Sequence, residues 1–241
     1  MFKHEKKGKL VIISGFSGVG KGTVVQRLNE DFSHYALSVS MTTRPPRPGE
    51  VHGVHYYFVK DAEFEKMIEE QGFLEHAGYV GNYYGTPRAF VDNNRSAGID
   101  VILEIEVQGA LQVMKKHPEA VPIFITAPSA REMEKRLVGR NTDSPGKITK
   151  RLKRALEEAE YMKEYRYVVI NADLDECVRK MEEIILTEPE GPQYDPEFKD
   201  RYVEDLREII AERIAAGKDV EPEDAAPEAT APETAAPVST H

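Results

Sequence analysis

The run Gly15-Phe16-Ser17-Gly18-Val19-Gly20-Lys21-Gly22-Thr23 joins an apolar, β-rich stretch, Leu10-Val11-Ile12-Ile13, to a helix-like one, Val24-Val25-Gln26-Arg27-Leu28. Strand, glycine-rich turn and helix start in that order restrict the chain to folds in which a strand ends against a helix N-terminus. Glycines at 15, 18 and 20 remove β-carbons from the turn, so backbone N–H groups can converge on one point. The helix start adds unsatisfied donors and partial positive charge. Such a cradle suits phosphate oxygens, and Lys21 is placed to reach the outer phosphates of a nucleoside triphosphate.

The loop departs from the strict GxxxxGK[ST] pattern, because Gly22 occupies the hydroxyl position and Thr23 follows one residue later. With no hydroxyl beside Lys21, a Mg²⁺ ion is expected to be held mainly by phosphates and water rather than by the loop. No Asn-Lys dipeptide occurs, so the base-reading NKxD element of GTPases is absent. In both respects the loop resembles nucleoside monophosphate kinases more than GTPases.

At 241 residues the chain can bury one good core with room for an insert or a tail. More than half of its net charge of −10 comes from Asp219, Glu221, Glu223, Asp224, Glu228 and Glu233, in a stretch without Lys or Arg. No basic excess marks a nucleic-acid footprint. The single cysteine, Cys177, excludes an intramolecular disulfide, fits a reducing compartment and is expected to be packed rather than reactive. Basic residues from Lys3 to Lys9 precede apolar ones, but the apolar run breaks at Ser14-Gly15 and lacks a cleavage site. No apolar stretch approaches the roughly 18 residues that span a bilayer. A cytoplasmic protein without membrane partners is expected.

Four apolar runs, Leu10–Ile13, Ile99–Ile105, Val121–Thr126 and Tyr167–Asn171, predict buried strands of a parallel sheet. Helical patterns cover Thr23–Phe32, Ala110–Lys116, Ser129–Val138, Ile148–Glu164 and Asp173–Leu186. The alternation predicts an α/β, doubly wound core whose ligands bind at the carboxyl ends of the strands. Residues 36–98 break the rhythm, with a strand-like run Val54–Val59 and a helical piece Ala62–Gln71. They are too long for a connection and predict an inserted mixed α/β lobe. Polar, turn-rich residues 139–147 between Arg-bearing helices predict a small lid.

These boundaries divide the chain into core (8–35, 99–135 and 152–187), inserted lobe (36–98) and lid (136–151). A linker and C-terminal helix follow over 188–218. Phe198 to Ala216 is amphipathic, with Tyr202, Leu206, Ile209, Ile210 and Ile214 on one side. That face is expected to pack on its own domain; a partner surface is the alternative. Residues 219–241, rich in Glu, Pro, Ala and Thr, are expected to be disordered.

Ser38-Val39-Ser40-Met41-Thr42-Thr43-Arg44-Pro45-Pro46-Arg47-Pro48-Gly49-Glu50 sets two arginines three apart among hydroxyls and prolines. Two guanidinium forks so spaced can converge on one phosphate. Further on come Val51-His52-Gly53-Val54-His55-Tyr56-Tyr57-Phe58, Phe73-Leu74-Glu75-His76-Ala77 and Gly81-Asn82-Tyr83-Tyr84-Gly85-Thr86. Together with the glycine loop, in order from about Gly8 to Thr187, these segments closely resemble the guanylate kinase family.

The resemblance implies transfer of the γ-phosphoryl group of ATP to GMP, and to deoxy-GMP, with Mg²⁺. It places ATP on Gly15 through Thr23 and at Asn171. GMP falls to Arg44, Arg47, Tyr56 and Tyr84 at the phosphate end, and to Ser40, Glu75, Thr86 and Glu106 at the base. Catalytic cations would be Lys21, Arg136, Arg140 and Arg151, with Lys135, Lys150, Lys153 and Arg154 left as surface charges. Elementary chemistry agrees at Glu75. Guanine presents N1–H and an amino group side by side, which a carboxylate can accept, whereas adenine offers a lone pair there.

Three departures from the family pattern stand out: Phe16 replaces a customary proline, Asn141 a lid glycine, and Glu104 and Glu106 two aspartates. Alternation along a strand would turn Glu104 and Glu106 the same way, towards the nucleotide. Glu104 is the one candidate carboxylate for ordering metal or water. A kinase-like interaction domain without catalysis would show a degraded glycine loop, and a kinase for another nucleotide would lack Glu75 with Ser40. Neither feature is present.

Overall fold

The computed structural model describes residues 7–79, 81–141, 143–190 and 195–220. The expected acidic tail lies outside them from residue 221 onward. The elements run β1 (Leu10–Gly15), α1 (Lys21–Asp31), β2 (Tyr35–Leu37), β3 (Met41–Thr42), β4 (Tyr57–Phe58), α2 (Asp61–Glu69), β5 (Phe73–Tyr79), β6 (Asn82–Pro87) and α3 (Arg88–Ser96). They continue β7 (Asp100–Glu104), α4 (Val107–Lys116), β8 (Val121–Thr126), α5 (Ala130–Gly139), α6 (Pro145–Ala159), a 3₁₀ turn (Met162–Glu164), β9 (Tyr167–Ile170), α7 (Leu174–Thr187) and α8 (Pro196–Ala215).

A parallel five-stranded sheet in the order β2-β7-β1-β8-β9 forms the core, in an α/β fold. Every residue of β1 is buried, as a strand covered on both faces requires, so its apolar run does not alternate. The chain leaves β1 for the far edge at β2, returns to β7 and then crosses to β8. The order therefore reverses at β1, and the glycine loop stands at the carboxyl end of that switch point. The sheet has one strand more than the four apolar runs predicted. Tyr35–Leu37 is an edge strand of three residues, too short to leave a periodic signal.

A second, mixed sheet, β4-β3-β6-β5, lies within residues 36–98. Here the strand expected over Val54–Val59 shrinks to Tyr57–Phe58, because Gly53 at φ 79° turns the chain and Val54 and His55 hydrogen-bond back to Val51. Helix α3 has no counterpart in the predicted elements. In β5 the pairing shifts by one residue between Phe73, opposite Pro87, and Glu75, opposite Thr86. This bulge separates two residues that strict alternation would put on one face. Phe73 stacks on Phe64 of α2, with ring centroids 4.4 Å apart, and Glu75 turns the other way.

The helices start on side-chain caps where the sequence supplies them. Ser129 accepts from Glu132 N, Ser144 from Lys147 N with Pro145 opening α6, and Asp173 from Glu176 N. Helix α5 ends on Asn141 in the left-handed region, at φ 51°, where a side chain that tolerates this conformation can replace glycine. Helix α8 packs against α5 and α6, burying Tyr202, Val203, Leu206, Ile209 and Ile210. Ile214, expected on that face, is 45 % exposed; Arg213 takes the inward position instead. Burial pushes the Cys177 thiol up to about 12, so it stays protonated and packed.

Candidate functional site

The loop after β1 is built by its backbone. Gly20 caps α1 at φ 91°, in the left-handed region open to glycine. Lys21 folds back to donate to the Gly15 carbonyl oxygen at 3.0 Å. Three side chains hold the loop from outside. Asn171, at the end of β9, donates to the Val19 carbonyl at 2.8 Å, Arg136 of α5 approaches the same oxygen at 3.4 Å, and Arg151 of α6 donates to Ser17 Oγ at 2.8 Å. Gly18, Val19, Gly20, Thr23, Arg136, Arg140 and Asn171 line one shallow trough. Phe16 belongs to the loop by position only. Its ring is fully buried, edge-on to Phe124 and stacked on Tyr202, so the backbone alone is presented there.

On the other side of Lys21 lies a cavity of about 330 Å³. Ser40, Arg44, Arg47, Tyr56, Glu75, Tyr84, Glu104 and Glu106 line it together with Lys21, although they come from segments scattered over 67 positions of the chain. Arg44 donates to Glu50 Oε1 at 2.9 Å and lies 5.5 Å from the Tyr56 ring centroid. Tyr56 and Tyr84 meet edge to face at 6.0 Å. The Arg44 guanidinium holds the Glu50 carboxyl below its ordinary range, helped by the Arg47 backbone N–H, against a smaller opposing effect of burial.

Glu75 is the buried end of this cavity. Thr86, its direct partner across β5 and β6, donates to Oε1 at 2.6 Å. Thr86 itself is fully buried and is not among the cavity-lining residues, so the structure places it behind Glu75 as its holder. Burial raises the Glu75 carboxyl above its ordinary range, while hydrogen bonds from Thr86 and the charge of Lys116 pull it back. Gly109 of α4 provides the space, since a β-carbon there would stand 2.4 Å from Glu75 Oε2.

Glu104 and Glu106 do not form the strand pair that alternation predicts. Strand β7 ends at Glu104, and Glu106 is the residue before α4. Both still line the cavity, Glu104 deeply and Glu106 at an exposed rim. Burial raises the Glu104 carboxyl, Lys21 opposes that and Glu106 adds to it.

Sequence reasoning passed over Glu50, Gln108, Gly109 and Arg154, all of which line the cavity. Arg154, left as a surface charge, lies 4.0 Å from Glu106 and donates to Glu158 at 2.7 Å. Its spacing of three from Arg151 on one helix was the available signal. For Gly109 the signal was weaker, since the helical pattern starts only at Ala110; the structure starts α4 at Val107 and so puts this glycine inside the helix, where it costs stability unless space is needed.

The family model described as guanylate kinase matches residues 7–188. A guanylate kinase of Streptococcus agalactiae is 52 % identical over 184 residues, covering 76 % of this chain and 88 % of the relative. One from Streptococcus pyogenes is 52 % identical over the same length, covering 76 % and 87 %. Among solved structures, the guanylate kinase of Anaplasma phagocytophilum is 32 % identical and superposes with a TM-score of 0.64, over 90 % of this chain and 99 % of that one. Among the described residues no helix is long and apolar enough to cross a membrane.

Proposed function

The chain belongs to the guanylate kinase family, and from that premise we propose that its cleft moves the γ-phosphoryl group of ATP onto GMP, and onto deoxy-GMP, releasing ADP and GDP. One observation carries the residue-level reading. The Glu75 carboxylate and the Arg44 and Arg47 cations line a single cavity that also contains Lys21 of the glycine loop. A purine monophosphate laid along it meets a carboxylate at its base, cations and tyrosine hydroxyls at its phosphate, and the donor loop beyond.

In this reading residues 36–98 hold GMP and residues 136–151 close over the donor. ATP lies on Gly15–Thr23 with its adenine towards Asn171. A GMP phosphate oxygen attacks the γ-phosphorus; that P–O bond forms as the bond from the γ-phosphorus to the β,γ-bridging oxygen breaks, and ADP leaves with the electron pair. The attacking oxygen is already anionic, so no general base is required. Catalysis is then positioning and cationic stabilisation by Lys21, Arg136, Arg140 and Arg151. Closure excludes water that would otherwise take the phosphoryl group.

The donor set suits a Mg²⁺ ion that arrives with the nucleotide. Among the described residues no three His, Cys, Asp or Glu side chains form a cage. Gly22 brings no hydroxyl, and a β-carbon on it would sit 3.8 Å from Glu104 Oε1, the nearby half-buried carboxylate. Glu104, nucleotide oxygens and water would hold the ion, which supplies neutralising charge on the β- and γ-phosphates. The cytoplasm, where both nucleotides occur, is the fitting compartment.

A coupled assay offering GMP, AMP, UMP and dTMP in turn tests this. GMP should exceed AMP by ~10³-fold or more in kcat/KM, since adenine leaves Glu75 facing a lone pair. Comparable turnover of AMP or a pyrimidine nucleotide would refute the assignment of Glu75.

A further inference from the structure

Helix α8 lies beyond residues 7–188, the segment that the family model matches, yet it is packed into the molecule. Most of its inner face is apolar. Arg213 is the exception, a guanidinium only 6 % exposed. Each of its three nitrogens donates one hydrogen bond: Nε to Thr149 Oγ1 at 2.8 Å, one terminal nitrogen to Glu134 Oε1 at 2.9 Å, the other to the Pro145 carbonyl at 2.8 Å. Glu134 is on α5; Pro145 and Thr149 are on α6. A single planar fork thus ties together the two helices that flank residues 140–144.

Burying a charge for bulk adhesion would be poor economy of structure, because an apolar side chain fills such a position without desolvation cost. Leu206, Ile209 and Ile210 do so on the same helix. What a guanidinium adds is direction: rigid donors that fix its acceptors in distance and angle. Two residues beyond Glu134 stands Arg136, and two beyond Thr149 stands Arg151. These two arginines reach the glycine loop at Val19 and Ser17 respectively. Their simultaneous reach depends on the spacing of α5 and α6. At its other end α8 is keyed to the same loop, where Tyr202 stacks on Phe16 with centroids 5.2 Å apart.

We propose that Arg213 is a positioning residue for phosphoryl transfer: by clamping α5 to α6 it keeps Arg136 and Arg151 trained on the donor loop. The inference rests on the reading of those two arginines as donor-side cations. It makes the C-terminal helix part of the catalytic apparatus while leaving the acceptor cavity to other elements.

The test compares full-length wild type with Arg213→Met, Arg213→Lys and Glu134→Ala, measuring kcat and both KM values well below each variant's melting temperature. Arg213→Met should lower kcat about 10- to 100-fold, as a small misplacement of catalytic groups does. KM for ATP should rise while KM for GMP stays within about twofold, a split that a general loss of folded protein cannot produce. Arg213→Lys should recover part of the kcat. Glu134→Ala cuts the α5 anchor alone and should give the same split at smaller size, which keeps the test available if Arg213→Met does not fold. Variants that melt earlier yet keep wild-type kcat and KM for ATP would overturn the proposal, as would equal rises in both KM values. A wild-type enzyme that does not phosphorylate GMP would instead overturn the functional reading itself.

Discussion

The two sides of Lys21 are built on opposite plans. The glycine loop, proposed to hold the donor, is nine consecutive residues, shaped by backbone conformation and a helix start. The cavity proposed for the acceptor is gathered from β5, β6, the end of β7, α4, α6 and the loops on either side of β3, and takes shape only when distant segments arrive in register. A contiguous device can present its backbone alone, as at Phe16, whose ring is turned into the core. An assembled one depends on small adjustments, such as the Glu75 bulge and the space at Gly109, that no short motif contains.

The strongest way to break this contrast is at Lys21, the loop side chain on which the proposed transfer most depends. Lys21→Ala should lower kcat by about 10³-fold, the scale on which a preorganised charge acts, with little change in the melting temperature. Retention of most turnover would mean that the loop is not a donor site.

Next in size is the carboxylate across the cleft. Glu75→Gln should lower kcat/KM for GMP by about 10²-fold, because one of the two acceptors that guanine needs becomes a donor. The same residue gives a pH signature. Its carboxyl, raised by burial, takes up a proton at higher pH than an exposed glutamate does. KM for GMP should therefore start to rise on acidification while still above the usual carboxylate range of about 4.3, and Glu75→Gln should flatten that limb. For stability the sign is the reverse of the salt-bridged case. Between the ordinary and the raised pKa the native state holds more protons than the unfolded chain, so Glu75 costs stability as pH rises through that window. A pH profile of KM identical in wild type and variant would remove Glu75 from the base pocket.

The smallest effect sharpens the comparison most. Gly109→Ala adds a β-carbon 2.4 Å from Glu75 Oε2, and the flexible end of Glu75 is what must yield. Helix propensity alone would favour alanine by about 1 kcal/mol. KM for GMP should rise by roughly tenfold, with the melting temperature held or raised. A loss of stability without a change in KM would show Gly109 to be a packing residue only.

What could be learned from the chain before its structure follows the same division. The central strands, the glycine loop and two of the capped helices are local matters, carried by apolar runs, Gly20, Ser129 and Asp173, whereas the start of α6 on Ser144 lay hidden in the turn-rich stretch before Ile148. Tyr35–Leu37 escaped because three residues have no period, and Val54–Val59 misled because Val54 and His55 sit in a turn around Gly53. In the cavity, Glu75, Arg44 and Arg47 were legible through their motifs, but Thr86 as the holder of Glu75, and Arg154 at the rim, depend on register and helix phase. Arg213 gave no sign at all. A basic residue near a helix C-terminus ordinarily serves the dipole and solvent, and only tertiary packing turns it inward.

The extra residue in β5 has a consequence that reaches beyond local geometry. Were Leu74 paired regularly with Thr86, Glu75 would share the face of Phe73, and the base end of the cavity would be walled by Leu74 and His76. A hydrocarbon and an imidazole cannot return the paired acceptors that guanine seeks. On the proposed reading of Glu75, nucleobase choice would then be an arithmetic property of a hairpin: one residue of slippage would separate a guanine reader from a blank wall, with no change in composition.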